Sequence, residues 1–592
     1  MSEAEYFQTF VAMRDGVKLN TFVYLPRTGG PSFPVIAQRT PYGITKPQGE
    51  AIHDPARGWL PDPDAPMSGS MLRGWQAIVQ RGYAAVYQDT RGRFGSEGVD
   101  RVYADDAADG FDTLDWIAGQ PWCDGNIGVS GSSAGATTAF AAASARHPAL
   151  KAYFAQVGAA SIYDDVVYEG GSIEMERLWL WVSKNIPGLS PSHRDAVMER
   201  AGIDAAELDA AAERAAQRYD RLEAACHADP PFIESEDWLR LPMTSYPDFS
   251  TWQPHLDEIL THPEPDAFRA AHDFSRTIDA PGFLATTWYD IFQTSMIRAF
   301  NEIQSRVGNQ LLWIGPNYHY FIYETNFWPR DPYFEWFGHW LKGEANGIMQ
   351  QPAVHYAPQA WTGDSETYVA DDWRHADRWP LAEISPSRFY LRGDGSLTAD
   401  GPDGSARKYL YDPRKPIPTL GGRNMLIADG PRDQRPAQAM PNYGLTYRGE
   451  PLTEDLTIAG PVKVMLHAGS DCPDTDFIAK LIEVMPDGRN MLLMDGVVRA
   501  MYRDAEKGPQ RLAPGEIYAF AIDLAHIHHT FGAGSCIQVD ITSSNFPRRA
   551  RNTNSGNPVL AKDGEGDIRV ATNSVYHAAD TPSFVTLPIL PT

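Results

Sequence analysis

One pentapeptide constrains what this 592-residue chain can fold into more than any other feature: Gly131-Ser132-Ser133-Ala134-Gly135. It lies between a strand-like IGVSG (127–131) and an alanine-rich helical stretch, ATTAFAAASARH (136–147). A serine with glycine two places before and after it fits a sharp strand-to-helix turn, where its backbone is strained and its neighbours pack too closely for larger side chains. Composition alone gives such a match in about one of every four or five chains of this length, so the flanking strand and helix carry the argument. Ser130 and Ser132 compete by proximity, but neither has glycine on both sides at that spacing. The opposing reading is a Gly/Ser-rich turn that only packs tightly.

The surrounding chain repeats the strand-helix rhythm. Buried-strand patterns occur at 34–42 (PVIAQRTPY) and 83–90 (YAAVYQDT), a helical pattern with an acidic start covers about 103–119, and KAYFAQVG follows the alanine-rich helix. Such alternation predicts a mostly parallel sheet covered by helices. From 161 to 271 the pattern turns helical (EMERLWLWVSK, DAAELDAAAERAAQRYDRLEAACH), and strand signals then return as PGFLATTWYD (281–290) and QLLWIGPN (310–317). Beyond 358 come short, turn-rich strands such as RFYLRG, KVMLHAG and CIQVDITSS with no long helix, which suits an antiparallel sandwich or jelly roll. The expected organisation is a discontinuous α/β domain over 1–160 and 272–357, an inserted helical cap over 161–271, and an all-β C-terminal jelly roll over 358–592. Length alone favours about three or four domain-sized units.

A net charge of −25 repels phosphate backbones and anionic membrane surfaces, which argues against nucleic acid or a membrane as partner. No run of about 18 apolar residues occurs, so no spanning helix is expected. The four cysteines (Cys123, Cys226, Cys472, Cys536) lie far apart without a CxxC pair, and the start MSEAEYFQTF lacks a signal pattern. A soluble, cytoplasmic protein without a cofactor is expected. His526, His528 and His529 form an H-x-H-H run, and alternate strand residues share a face. Without a third ligand or a neighbouring carboxylate, no metal is assigned to it.

A serine hydroxyl near neutral pH attacks only with a base in reach and a carboxylate orienting that base. In folds built on this turn the acid and then the histidine follow the serine in sequence. Asp290 ends GFLATTWYD and His319 follows LLWIGPNY, each just past the carboxyl end of a predicted strand, where α/β sheets build their sites. His147, His227, His255, His262 and His272 lie in helical or loop stretches and are less well placed alternatives.

The strings MRDGVKL, RTPYG, GYAAVYQDTRGRFGSEG, WCDGNIGVSGSSAG, TTWYD, GPNYH, DQRP, DTDFIAKLIEVMPDG and SSNFPR occur in order along nearly the whole chain. In them the chain resembles the cocaine esterase-like hydrolases, grouped with the X-Pro dipeptidyl peptidases and the α-amino acid ester hydrolases. The resemblance implies an α/β-hydrolase domain with a helical cap and a C-terminal jelly roll, and a catalytic triad of Ser133, Asp290 and His319. It also implies an oxyanion hole made by the Tyr42 hydroxyl of RTPYG and the Ala134 amide, donors worth roughly 3 kcal/mol each. An apolar acyl pocket is implied at Phe292, Met425 and Leu426. The QDTRG match is read as structural, with Asp89 and Arg91 bracing the loop beside the site.

Departures from the family pattern narrow the expectation. Where the α-amino acid ester hydrolases carry acidic residues after their acid, this chain has Ile291 and Phe292. Asp164, Asp165, Glu169 and Glu174 could hold a substrate ammonium instead, but such a cluster is usually a solvated face. Residues 45–70 follow Tyr42, look longer than the matching family stretch, and are expected to line the substrate entrance. The expected function is a serine hydrolase that cleaves an ester of a small acyl or aryl substrate through an acyl-enzyme. The alternatives are an amidase or β-lactam acylase, an α-amino acid ester hydrolase, an X-Pro dipeptidyl-peptidase-like activity, or, from another class, a non-catalytic binding protein. The partner is a small-molecule ester or amide, and large apolar sandwich faces are compatible with a homo-oligomer.

Overall fold

Apolar runs rich in Val, Ile, Phe and Tyr place the first strands in one large sheet. The computed structural model describes residues 4–44, 73–228, 235–246, 248–264, 266–319, 331–359, 372–504 and 507–591. β1 (Ala4–Ala12) and β2 (Lys18–Pro26) form a hairpin around Asp15-Gly16. They are followed by β3 (Phe33–Thr40), β4 (Ala84–Asp89), β5 (Cys123–Ser132) and β6 (Leu150–Gln156). After a helical insertion that holds the small hairpin of β7 (Tyr168–Glu169) and β8 (Ser172–Ile173), the sheet resumes with β9 (Gly282–Tyr289), β10 (Gln310–Tyr318), β11 (Val354–Tyr356) and β12 (Arg374–Ala376).

The order is β1-β2-β4-β3-β5-β6-β9-β10-β11-β12, with the seven strands from β4 to β11 parallel and the outer ones antiparallel. β4 and β9 are buried at every position, the signature of parallel strands covered on both faces. The sheet runs past the expected boundary at 357, because β12 pairs with β11. Helices α1 (Trp75–Gln80), α2 (Asp106–Ala118) and α3 (Ala134–Ser144) connect its first half.

The insertion contains α4 (Met175–Asn185), α5 (Pro191–Ala201), α6 (Ala205–Cys226), α7 (Glu236–Leu239), α8 (Phe249–Trp252), α9 (Pro254–Leu260) and α10 (Ala267–Ala270). α6 starts on a capping box: Asp204 accepts from the Glu207 amide at 2.9 Å, and the Glu207 carboxylate accepts from the Asp204 amide at 3.3 Å. α11 (Gln293–Val307) and α12 (Tyr333–Lys342) then pack against the second half of the sheet. Among the described residues no helix is long and apolar enough to cross a membrane.

From Ser385 to Ile589 the strands form two antiparallel sheets. One includes Leu456–Ser470 and Tyr518–Phe531, and the other includes Asp476–Val484 and Cys536–Thr542. Leu466, Phe520 and Ile522 of the first meet Phe477, Leu481 and Val539 of the second in one buried cluster, each side chain worth roughly 1.5–3 kcal/mol of burial.

Candidate active site

At the junction of β5 and α3 the chain turns on Ser133, whose φ of 52° and ψ of −121° lie outside the comfortable region for a side-chain-bearing residue. The surroundings hold it there: its amide donates to Gln156 O at 2.9 Å, and its carbonyl accepts from Ala136 and Thr137 at 3.0 and 3.1 Å. A side chain on Gly131 would place its Cβ 2.1 Å from the Gly135 carbonyl, and one on Gly158 would sit 2.4 Å from the Ala136 Cβ. Glycine is therefore a steric requirement of the turn. Ser130 points inward to the Tyr333 hydroxyl at 2.9 Å, and Ser132 is fully buried. Of the three serines, only Ser133 faces the cavity above the sheet.

Asp290 directly follows β9, and His319 directly follows β10, so neighbouring parallel strands deliver both to the same edge. The Ser133 hydroxyl is 3.1 Å from His319 Nε2, and His319 Nδ1 is 2.7 Å from Asp290 Oδ1. The second Asp290 oxygen accepts from the Thr286 hydroxyl at 2.7 Å, and the carboxylate is wholly buried. With Nδ1 donating to the carboxylate, Nε2 keeps the lone pair that faces Ser133. The Phe292 ring packs edge-on against His319, with centroids 5.7 Å apart. His147, His255, His262 and His272 are engaged within their own segments or with neighbouring helices, and none of them lines the cavity.

Tyr42 projects from the turn after β3. Trp181 of α4 donates its indole N–H to the Tyr42 oxygen at 2.9 Å, and Tyr42 lines the same cavity as Ser133. Burial pushes its pKa above the ordinary phenol value, which keeps the hydroxyl protonated and able to donate. Ala134 is the first residue of α3, where backbone N–H groups have no partner inside the helix. Asp89 braces the turn by accepting from the Ile44 amide at 2.7 Å, Asn20 Nδ2 at 2.8 Å and the Gly95 amide at 3.2 Å. Arg91 faces away, toward Asp15 and Asp109. Arg93 instead reaches the site, donating from Nε to Pro41 O at 2.9 Å and from a terminal nitrogen to Asn185 O at 2.8 Å.

These groups form the floor of a cavity of about 490 Å³. Its roof is α4, with Leu178, Trp181 and Val182, together with Met425 and Leu426 from the C-terminal unit. Ile162, Val167, Ile259 and Phe292 complete the walls, Arg177 and Lys184 also line it, and among the described residues no Asp or Glu does. The roof is tied down by Glu176, a buried carboxylate that accepts from the amides of Leu426, Ile427 and Met425 at 2.6, 3.2 and 3.4 Å. Burial pushes the Glu176 pKa up, and the three amides oppose the shift. The 45–70 segment, expected to line the entrance, lies outside the described residues.

The acidic cluster of the insertion is not a solvated face. Asp165 pairs with Arg298 at 2.7 Å, and Glu169 pairs with Arg423 and Arg549, each at 2.7 Å. Asp164 meets Arg269, and Glu174 meets Arg177 and Arg549. Burial raises the pKa of Glu169, but Arg423, Arg549 and Arg548 more than reverse this and hold it well below the usual range. All four carboxylates are matched by guanidinium groups, which the sequence run alone did not disclose. In the H-x-H-H run, His526 accepts from Trp379 Nε1 at 3.0 Å, His528 lies beside Arg374, and His529 meets Glu483 at 2.9 Å.

Sequence reasoning missed Trp181, Glu176, Arg93 and Thr286. Their roles depend on partners 4 to 250 residues away, and no local pattern marks such pairs.

Known proteins are similar to this chain in sequence and fold. The family model described as X-Pro dipeptidyl-peptidase (S15 family) matches residues 15–321, and that of the X-Pro dipeptidyl-peptidase C-terminal non-catalytic domain matches 346–586. A cocaine esterase from Rhodococcus sp. (strain MB1 Bresler) is 32% identical, over 98% of this chain and 97% of its own. Among solved structures, an aminopeptidase from a marine sediment Thaumarchaeota archaeon superposes with a TM-score of 0.73 at 22% identity, covering 100% of this chain and 97% of that one. An α-amino acid ester hydrolase gives 0.72 at 23%, covering 99% and 97%. At those identities the two structures speak to the fold.

Proposed function

The chain belongs to the S15 family of X-Pro dipeptidyl-peptidases, and from that premise we propose that it is a carboxylesterase acting on small esters with uncharged, apolar acyl groups. Ser133 attacks the ester carbonyl while His319 takes its proton, and Asp290 stabilises the imidazolium that results. The Tyr42 hydroxyl and the Ala134 amide receive the negative charge that develops on the carbonyl oxygen. Collapse of the intermediate expels the alcohol, which His319 protonates. Water then attacks the acyl-Ser133 by the same route reversed, releasing the acid.

The observation that carries this reading is the Ser133–His319–Asp290 hydrogen-bond chain opening into a mostly apolar cavity. The choice of acyl group rests on charge: on the described walls an α-ammonium would meet the cations Arg177 and Lys184 and no carboxylate, and burying it unpaired costs several kcal/mol. This disfavours the aminopeptidase and amino acid ester alternatives. We further read the C-terminal sandwich as a jelly roll that contributes one wall of the pocket. Four free cysteines support a reducing, cytoplasmic location.

The test is covalent labelling with a fluorophosphonate followed by a panel of paired esters. Label is expected on Ser133, and Ser133→Ala should lose at least about 10⁴-fold in kcat. A neutral aryl-acyl ester should exceed its α-amino counterpart in kcat/KM by roughly tenfold or more. Full activity in Ser133→Ala would remove the nucleophile, whereas preference for the ammonium ester would leave the nucleophile standing and overturn the substrate class.

A further inference from the structure

We propose that Trp181 is a positioning residue of the oxyanion site, its indole N–H fixing and polarising the Tyr42 hydroxyl for donation to the tetrahedral intermediate. The inference rests on the reading of Tyr42 as an oxyanion donor and extends it into the helical insertion.

An indole nitrogen can only donate. At 2.9 Å the Tyr42 oxygen is therefore the acceptor in its bond with Trp181, and the phenolic hydrogen must point elsewhere. Tyr42 and Ser133 line the same cavity, so a hydrogen directed away from the indole is available to an oxygen at the reacting centre. Accepting one bond makes a hydroxyl a better donor of the next, by about 10–30% per bond in condensed phase. A rotor that would otherwise sample several directions is also held in one before the substrate arrives, and that preorganisation is what makes an oxyanion donor effective.

Both partners are immobilised by contacts that otherwise have no evident purpose. Arg93 bridges the two segments, bonding Pro41 O on the Tyr42 turn and Asn185 O at the end of α4. The Asn185 side chain donates to Trp181 O at 2.7 Å. The Trp181 ring stacks on Tyr103, with centroids 6.1 Å apart and planes 25° from parallel. Tyr103 and the residue before it, Val102, have φ values of 67° and 49°. For a β-branched valine that conformation is costly and persists only where the surroundings enforce it. The strained pair thus presents the aromatic face that sets the angle of the indole.

The experiment is a double-mutant cycle with Trp181→Phe and Tyr42→Phe, measured on one neutral aryl ester. Phenylalanine keeps an aromatic face but loses the five-membered ring together with its N–H, so the cycle, and not the single variant, isolates the hydrogen bond. Rates are expressed per site titrated with fluorophosphonate, so that any unfolded fraction is not counted. Trp181→Phe should lower kcat about tenfold, the worth of one hydrogen bond, with KM changed less than twofold. Affinity for an aryl boronate, which forms a tetrahedral adduct, should fall by the same factor. In the Tyr42→Phe background the Trp181 substitution should cost nothing further. A change confined to KM, or an equal loss in both backgrounds, would overturn the proposal and make Trp181 a wall residue. If Tyr42→Phe alone leaves kcat intact, the oxyanion reading fails first.

Discussion

The floor and the roof of the cavity are built by different means. The floor comes from four strands of one parallel sheet: Tyr42 after β3, Ser133 after β5, Asp290 after β9 and His319 after β10. Each side chain is aimed by its own strand and turn, within a few residues of backbone. The roof joins α4 of the insertion to a loop of the C-terminal unit, and Glu176 and Leu426 meet across 250 residues of sequence. On the proposed reading the reacting groups sit on locally determined elements, while most of the pocket's roof sits on a seam between separately built units. The first fixes chemistry, and the second leaves room for specificity to change without disturbing it.

The sharpest way to break this contrast is at the charges that hold the seam. Glu174 is 1% exposed, lies against Arg177 and Arg549, and has Arg548 nearby. Removing a buried partner leaves its guanidinium groups uncompensated, at a cost of about 3–5 kcal/mol. Glu174→Ala should lower the midpoint of urea unfolding accordingly, while the fluorophosphonate titre at low temperature stays near that of the parent. If stability changes by less than about 1 kcal/mol, charge does not hold the roof, and apolar packing must.

The same contrast explains what could be read in advance. The strand-helix alternation, the glycine spacing around Ser133 and the ordering of Asp290 and His319 after strands are local patterns with local causes, and they made the α/β architecture and the candidates Ser133, Asp290 and His319 legible, whereas Tyr42 came only through the resemblance. Phe292, Met425 and Leu426 were legible only through the resemblance to the family. Trp181 shows why the rest was hidden: LWLW reads as an apolar helix face, yet Trp179 is fully buried while Trp181 lines the cavity, a difference set by what α4 packs against. The acidic run at 164–174 was misleading for a similar reason, since its arginine partners lie on other elements, several of them far along the chain. β12 fell outside the expected boundary because three residues are too few to carry a strand pattern.

Asp89 tests the floor side of the comparison. Burial pushes its carboxyl up to about 7, against the opposing hydrogen bonds from Asn20, Ile44 and Gly95. Because the folded-state pKa lies above the unfolded value, the folded protein binds this proton more tightly. The contribution favours folding at low pH and is lost as pH rises from about 4 to about 7, amounting to roughly 2 kcal/mol between pH 5 and 7. Asp106, Asp165, Asp429 and Asp476 are shifted up by burial in the same direction, whereas burial pushes His526 and His528 down to about 4, which makes stability rise over the same range, so the difference between variant and parent slopes, and not the parent's own slope, isolates the Asp89 share. Asp89→Asn should remove that share from the slope, whatever its absolute stability. An unchanged slope in urea unfolding at pH 5 and 7 would mean that Asp89 is ionised throughout, and that the Tyr42 turn is held by a full charge.

The smallest expected effect bears most directly on how the roof confers specificity. The loop carrying Met425 and Leu426 is closed at its base by paired bonds between Gly422 and Gly430, 2.8 and 2.9 Å long. At its tip, three consecutive amides converge on the Glu176 carboxylate. Without that acceptor the amides would turn to water and the loop would lose its seat against α4, while nothing on the floor would move. Glu176→Ala should therefore raise KM for an aromatic acyl ester by about tenfold, roughly 1.4 kcal/mol. KM for the corresponding acetate, too small to reach the loop, should change little, and kcat should change little for both. Glu176→Gln keeps one oxygen able to accept from Leu426 and should fall between the parent and the alanine variant. A loss in kcat shared equally by both esters would place Glu176 in the service of the floor and erase the division between the two surfaces.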